Sequence, residues 1–220
     1  MMTRFFTADQ HFGHTNILKY EDENRRDSRG NKFRSIEKMG EFLVDRWNAT
    51  VRSNEDVVYC IGDFAFKLQT VKDVLPSLNG IKILVCGNHD PFWKNLAIRG
   101  PKSRAAAVES ALEAGFAEIH LEIKMEIPGL GTALLCHFPY RPSDTAGLQS
   151  HELRYLDNRP KAGNETVLLH GHVHSQWRHR QEPGQSMMIN VGVDQHALRP
   201  VSEQEIVIIY RVAVKNDNAL

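Results

Sequence analysis

The 220 residues are 41% hydrophobic, enough for a substantial core, and are read as a single domain over 1–220. Lys plus Arg (27) equals Asp plus Glu (27), which argues against strong long-range attraction to nucleic acid or anionic membrane. No stretch reaches the roughly 20 apolar residues of a membrane span and no signal-peptide pattern opens the chain, so a cytoplasmic protein without a membrane partner is expected.

A first strand is expected over 4–8, followed by the loop Asp9-Gln10-His11-Phe12-Gly13-His14 and a short helix from 15 to about 20. Residues 21–34 carry Arg25, Arg26, Arg29, Lys32 and Arg34 among four acids. They read as a long loop that is either solvated or borders a site. Ser35 is placed to cap a helix ending at Trp47 or Asn48, with Ile36, Met39, Leu43, Val44 and Trp47 on one face. Strand 57–61 follows, then a short helix opened by the capping-box-like Thr70-x-x-Asp73 and ended before Pro76. Asn79-Gly80 turns into strand 81–85, and 105–114 reads as a helix closed by Gly115. Alternation over 121–127 and 133–137 predicts a hairpin across Pro128 to Gly131, and further strands are expected at 167–169, 187–191 and 206–212. With helices early and strand pairs late, the expected class is α/β, with a mixed sheet or two packed sheets flanked by helices.

Cys60, Cys86 and Cys136 are odd in number and lack Cys-x-x-Cys spacing, which argues against a disulfide framework or structural zinc. Each falls inside an expected buried strand and reads as a small core residue, although Cys136 beside His137 also fits a soft ligand.

Polar motifs stand where five of these apolar strands end: Asp9-Gln10-His11, Gly62-Asp63, Gly87-Asn88-His89-Asp90, His137, and Gly171-His172-Val173-His174. In open α/β sheets, ligands collect at the carboxyl ends of strands, where loops aim side chains into one crevice. Asp9 and His11, like His172 and His174, are spaced two apart and can point to one side. Asp63 follows a glycine that permits a sharp turn, so its carboxylate can bridge two ions. The candidate ligands are therefore Asp9, His11, Asp63, Asn88, His137, His172 and His174, a set suited to two cations roughly 3.5–4 Å apart. His170 shares the alternation with His172 and competes with His174 for the same role.

The ordered motifs over 9–174 resemble those of the calcineurin-like metallophosphoesterase superfamily. The text Thr7-Ala8-Asp9-Gln10-His11-Phe12-Gly13-His14-Thr15-Asn16-Ile17 and the later Asn190-Val191-Gly192-Val193-Asp194 look like a small bacterial and phage-associated branch. The resemblance implies a four-layer αββα sandwich, helices outside two mixed sheets, with a dinuclear site along one edge. It implies that Asp9, His11 and His174 bind one metal, Asn88, His137 and His172 the other, with Asp63 bridging. It also makes His89 the non-ligand histidine and Asp90 the acid that orients it. The implied cofactors are two divalent ions, manganese first; iron, zinc, nickel and magnesium also suit the mixed O/N set.

Solvent ionised between two cations would attack phosphorus near neutral pH. His89 is then assigned to protonate the leaving alkoxide, with Asp90 fixing its tautomer. His14 reaches the substrate phosphate or pins the loop; Arg141 offers a forked grip on phosphate or lies in solvent. Asn88 is placed to touch both metal and substrate. Asp194 and His196 orient metal-bound histidines or form a turn. Trp177-Arg178-His179-Arg180 stacks a nucleobase or forms a hairpin tip. Relatives among protein phosphatases and dinucleoside tetraphosphatases carry Gly-Asp-x-x-Asp-Arg-Gly, whereas here Gly62-Asp63 runs into Phe64-Ala65-Phe66-Lys67 without that arginine. Two aromatics there suggest a flatter, less charged wall, which suits a small or cyclic nucleotide-type phosphodiester. The alternatives are a nuclease, a phosphomonoesterase and a catalytically inactive scaffold. The physiological substrate and the oligomeric state are not readable from these residues.

Overall fold

The protein was studied as a computed structural model, which describes residues 2–142, 144–145, 153 and 155–217. Strands β1 (Arg4–Thr7), β2 (Val57–Cys60), β3 (Ile81–Val85) and β4 (Glu118–His120) run parallel in one sheet. The two-residue β10 (Val201–Ser202) adds antiparallel to β1. A second sheet holds β5 (Glu122–Ile127), β6 (Gly131–Cys136), β7 (Val167–His170), β9 (Met187–Asn190) and β8 (His179–Arg180), in that spatial order. Its central three strands are parallel and its two edges antiparallel, so both sheets are mixed. The helices are α1 (Ile17–Tyr20), α2 (Ile36–Thr50), α3 (Leu68–Val74), α4 (Pro101–Glu113) and α5 (Glu203–Asp217).

Side-chain alternation builds the layers. Phe6, Ile61 and Val85 from the first sheet meet Leu135, Val167, Leu169 and Ile189 from the second in one buried cluster. Phe5, Val58 and Leu84 belong to the cluster that holds Met39, Leu43 and Trp47 of α2 and Val71 of α3. Each such burial contributes roughly 1.5–3 kcal/mol. Trp47 is 2% exposed, and its indole N–H donates to the Asn79 carbonyl at 3.0 Å. All three cysteines are buried free thiols inside this packing. Two mixed sheets flanked by helices are thus the α/β arrangement expected of the αββα sandwich.

Ser35 caps α2 as expected, its side chain accepting the Lys38 N–H. The Thr70-x-x-Asp73 start is corrected. Helix α3 opens three residues earlier, capped at Lys67 in extended backbone, and Thr70 lies inside it. Helix α4 also starts earlier, at Pro101, where a missing N–H costs nothing in the first turn.

The expected strand at 206–212 is a correction of type: it is the middle of α5. Ser202 and Glu205 form a reciprocal cap. The Ser202 hydroxyl accepts the Glu205 N–H at 3.3 Å, and the Glu205 carboxylate accepts the Ser202 N–H at 2.9 Å. Ile206 and Ala213 are buried seven residues apart, with Ile209 and Tyr210 partly buried between them and Ile208 and Val212 exposed. That is a helical face. The β-branched run suggested a strand; the cap and the packed stripe decide otherwise.

Candidate metal centre

The five motifs follow the carboxyl ends of β1, β2, β3, β6 and β7, so one edge of the sandwich collects polar groups from both sheets. The loops are laced together. The Asp9 N–H donates to the Gly62 carbonyl at 3.0 Å, His11 N–H to the Asp63 carbonyl at 3.0 Å, and Gly171 N–H to the His137 carbonyl at 3.1 Å. An isolated bridge between Ala8 and Gly192 ties the first strand to the turn after β9. Close approach demands glycine at two points. A Cβ on Gly171 would sit 2.5 Å from an Asp9 carboxylate oxygen, and one on Gly87 would sit 2.4 Å from an Asp63 oxygen.

Five candidate ligands have left-handed backbone: Asp9 (φ 60), His11 (53), Asp63 (54), His172 (71) and His174 (48). Such conformations cost of order 1–3 kcal/mol each and persist where surrounding structure holds them. Here they fall on residues whose side chains, two apart in each of two loops, gather at one cluster. One Asp63 oxygen lies 3.6 Å from His11 Nε2 and 3.4 Å from His137 Nε2, while the other accepts the His89 N–H at 2.9 Å. Ligand atoms of Asp9, His11 and His174 lie within 4.8 Å of one another, as do those of Asp9, Asp63 and His137. The His172 ring lies 5.2 Å from that of His137, and the His172 N–H donates to Asp9 at 2.9 Å.

The donor set fits cations. Both ring nitrogens of His11, Nε2 of His137 and both amide atoms of Asn88 are buried without a hydrogen-bond partner among the described residues. Buried polar atoms left so cost about 1–3 kcal/mol each, which coordination would offset. The charges agree. Burial alone would raise the Asp63 carboxyl, but His137, His11 and His89 hold it well below the carboxylate range. Burial also opposes charge on His137, yet Asp63 outweighs it and lifts His137 to about 9. Asp9 is pushed up to about 6 by burial, which His174 and His137 only partly offset. Burial drives His11 and His172 well below the usual imidazole range, leaving neutral donors.

Around this cluster the other predicted residues separate. The His89 ring stacks on Phe66 at 4.5 Å and lies 5.7 Å from His11. Phe66 also packs on His14 at 4.2 Å, so His14 and His89 flank one aromatic ring. The expected pair of aromatic wall residues is corrected: Phe64 is fully buried against Phe12 and Phe116, and Phe66 packs on His14 and His89 without itself lining the cavity. Asp90 was expected to orient His89. Among the described residues its carboxylate accepts the backbone N–H of Asp63, Phe64 and Gly87 at 3.0, 2.8 and 2.8 Å. These bonds hold the Asp63 turn against the Asn88 turn, which fixes the backbone that carries His89. Arg141 is turned toward Asp157 at 3.4 Å and does not line the cleft. Asp194 does meet His174, Oδ2 to Nδ1 at 3.0 Å. His196 does not orient a ligand; its Nε2 bonds to the Asn190 carbonyl at 2.8 Å. His170 is held by the Gly171 carbonyl at 2.7 Å, stays in the strand and packs on Trp177.

A cavity of about 1010 Å³ opens on this edge, with Asn88, His89, His172 and His174 at one end. Tyr20, Tyr155 and Trp177 line the remainder together with Arg159 and Arg180. Two residues escaped the sequence reading. Asn190 donates to the carbonyls of His174 and Trp177 at 2.7 and 3.0 Å, bracing the last ligand loop. Arg25 is buried behind the Asp9 loop, and nothing in its own text separates it from Arg26, Arg29 or Arg34.

The calcineurin-like phosphoesterase superfamily domain matches residues 41–212, beginning after the Asp9 and His11 loop. The chain belongs to that superfamily, whose members are metal-dependent phosphoester hydrolases. An uncharacterized protein of Methanocaldococcus jannaschii, MJ1445, is 34% identical over 97 residues, 43% of this chain. The chain spans about half the length of that curated relative (50%). A protein of unknown function from Aquifex aeolicus, AQ665, shares the fold at 23% identity and a TM-score of 0.59, covering 95% of this chain and 100% of its own. A phosphopantetheinyl hydrolase (PptH) from Mycobacterium tuberculosis superposes more loosely, at 14% identity and a TM-score of 0.45 over 87% of this chain and 89% of its own. No helix among the described residues is long and apolar enough to cross a membrane.

Proposed function

We propose that the protein is a phosphodiesterase acting on small or cyclic nucleotide-type esters, with Asp9, His11, Asp63, Asn88, His137, His172 and His174 holding two divalent cations, manganese first. The observation that carries the cation reading is the set of buried, partnerless donors on His11, His137 and Asn88 around the Asp63 carboxylate. Two bound cations would supply charge neutralisation for phosphate and lower the pKa of attacking solvent.

The chain's own groups do the rest. Asp63 and Asp9 supply negative charge that keeps a cation pair compact. His89, at the cavity wall, delivers a ring proton to the leaving oxygen, and Phe66 stacked beneath it fixes the ring and excludes water from that side. The diester preference is supported by what surrounds Asp63. Phe66 lies 5.9 Å from His11, and among the described residues the arginines lining the cavity are Arg159 and Arg180, far along the chain from Asp63. A space of about 1010 Å³ has room for organic arms on both sides of a phosphate.

The nuclease alternative rested on the basic loop at 25–34. Arg25 is turned inward, while Arg26 and Lys32 pair with Glu23 and Asp22, which weakens the basic patch. Rates on bis-nitrophenyl phosphate, nitrophenyl phosphate and a panel of cyclic nucleotides test the proposal: diesters should turn over faster. A clear preference for the monoester removes the diesterase reading, and steep salt-dependent oligonucleotide binding restores the nuclease.

A further inference from the structure

Arg25 lies in the segment read as either solvated or bordering a site, and it is 2% exposed with its side chain closed off from solvent. Taking a guanidinium out of water costs several kcal/mol unless its whole fork is satisfied. Here Nε and Nη2 donate to the two Asp194 oxygens at 2.7 and 3.0 Å. Nη1 donates to the Gln10 carbonyl at 2.9 Å, and Nη2 also reaches the Asp9 carbonyl at 2.6 Å. The backbone is anchored in turn, the Arg25 N–H donating to the Glu21 carbonyl at 2.9 Å. Asp194 passes the contact onward, since its Oδ2 meets His174 Nδ1 at 3.0 Å.

One guanidinium therefore touches the backbone that aims Asp9 and His11 and the carboxylate that orients His174. The other half of the cluster is braced differently: His137 Nδ1 bonds to the Ile61 carbonyl at 2.9 Å, and Asn88 follows the turn that Asp90 holds. We propose that Arg25 is a positioning residue for the Asp9, His11 and His174 half of the centre, clamping the Asp9–Gln10 backbone and Asp194 together so that this half binds its cation tightly. The inference rests on the two-cation reading of the cluster and adds an asymmetry to it. Arg25 acts chiefly on the ion that His11 and His174 would hold, and less on the other, which shares Asp9 with Asp63 and His137.

Equilibrium dialysis of the full chain against Mn2+ tests this, with His174→Ala identifying which of two bound ions belongs to that half. Arg25→Leu should weaken that ion roughly 10–100-fold, the usual range for losing a group that orients a ligand, and weaken the other by a clearly smaller factor. Arg25→Lys keeps the charge but not the fork, so it should weaken the same ion by a smaller factor. If Arg25→Leu does not fold, the lysine variant alone decides. Two ions in the wild type with both weakened equally, or neither weakened, overturns the positioning role and leaves the centre standing. A wild-type chain that binds no Mn2+ overturns the centre and the positioning role together.

Discussion

Asp63 Oδ2 stands between the imidazoles of His11 and His137, its Oδ1 holds the His89 amide, and its own N–H is held by Asp90. A side chain tied on every side has little freedom, which suits a carboxylate shared between two cations. His89 is different: its backbone is tied into this lattice, while its ring stacks on Phe66 and lines the cavity. That separation of roles yields a prediction. His89→Ala should keep the metal content of the wild type and lose roughly 10²–10⁴ in kcat on alkyl or nucleoside esters, the span general acids contribute. With nitrophenolate as leaving group the loss should be smaller, because that oxygen needs little protonation. Steady-state rates across leaving groups, with metal analysis, check it; an equal loss on all of them counts against the acid role.

Among the elements, α5 is the informative one. It leans on β1, β9 and β10, so it closes both sheets at one end, and its start depends on Ser202 and Glu205. Removing the cap with Ser202→Ala should cost about 1 kcal/mol. For a chain of this size that lowers the thermal midpoint by about 2–4 °C. Glu205 adds a pH dependence. The Arg199 hydrogen bond, against the opposing effect of burial and helped by the Ser202 groups, lowers its carboxyl from 4.5 to about 2. A depressed carboxyl stabilises the fold above 4.5 and loses that effect as pH falls toward about 2. The midpoint of Glu205→Gln should therefore lie below the wild type's at pH 7, and the gap should close in melts taken through that acidic window.

Across the molecule, the site exists only because two sheets meet. Asp9, Asp63 and Asn88 follow strands of the first sheet, and His137, His172 and His174 follow strands of the second. Cations bound between them would hold the sheets together in the folded state and would have no preformed cage in the unfolded chain. At free Mn2+ of about 100 times Kd, each such site adds about 2.7 kcal/mol of stability. Two filled sites should together raise the thermal midpoint by about 11–22 °C, and a chelator should reverse the rise. Calorimetry with and without Mn2+ measures it; an unmoved midpoint counts against a cation centre.

The ligand candidates could be read from the chain because each one sits in a short motif directly after an apolar run, and both signals are local. Helix α2, its Ser35 cap and the hairpin of β5 and β6 were readable for the same reason. Residues 206–212 were misread because β-branched composition speaks for a strand, while the Ser202 and Glu205 cap that starts the helix lies just upstream of the run. The destinations of Phe64, Phe66, Arg25 and Arg141 were beyond local text. Phe64 and Phe66 are chemically identical, yet one is core and the other stacks on His89. Arg25 and Arg141 are both cationic, yet one is sealed against Asp194 and the other lies beside Asp157 at the surface. Residue types and their order were sufficient to determine the class of fold and the chemistry of the donors. Which aromatic stacks on His89, which arginine is buried and which ligand it steadies depend on partners as far as 169 positions away, and only folding brings those together.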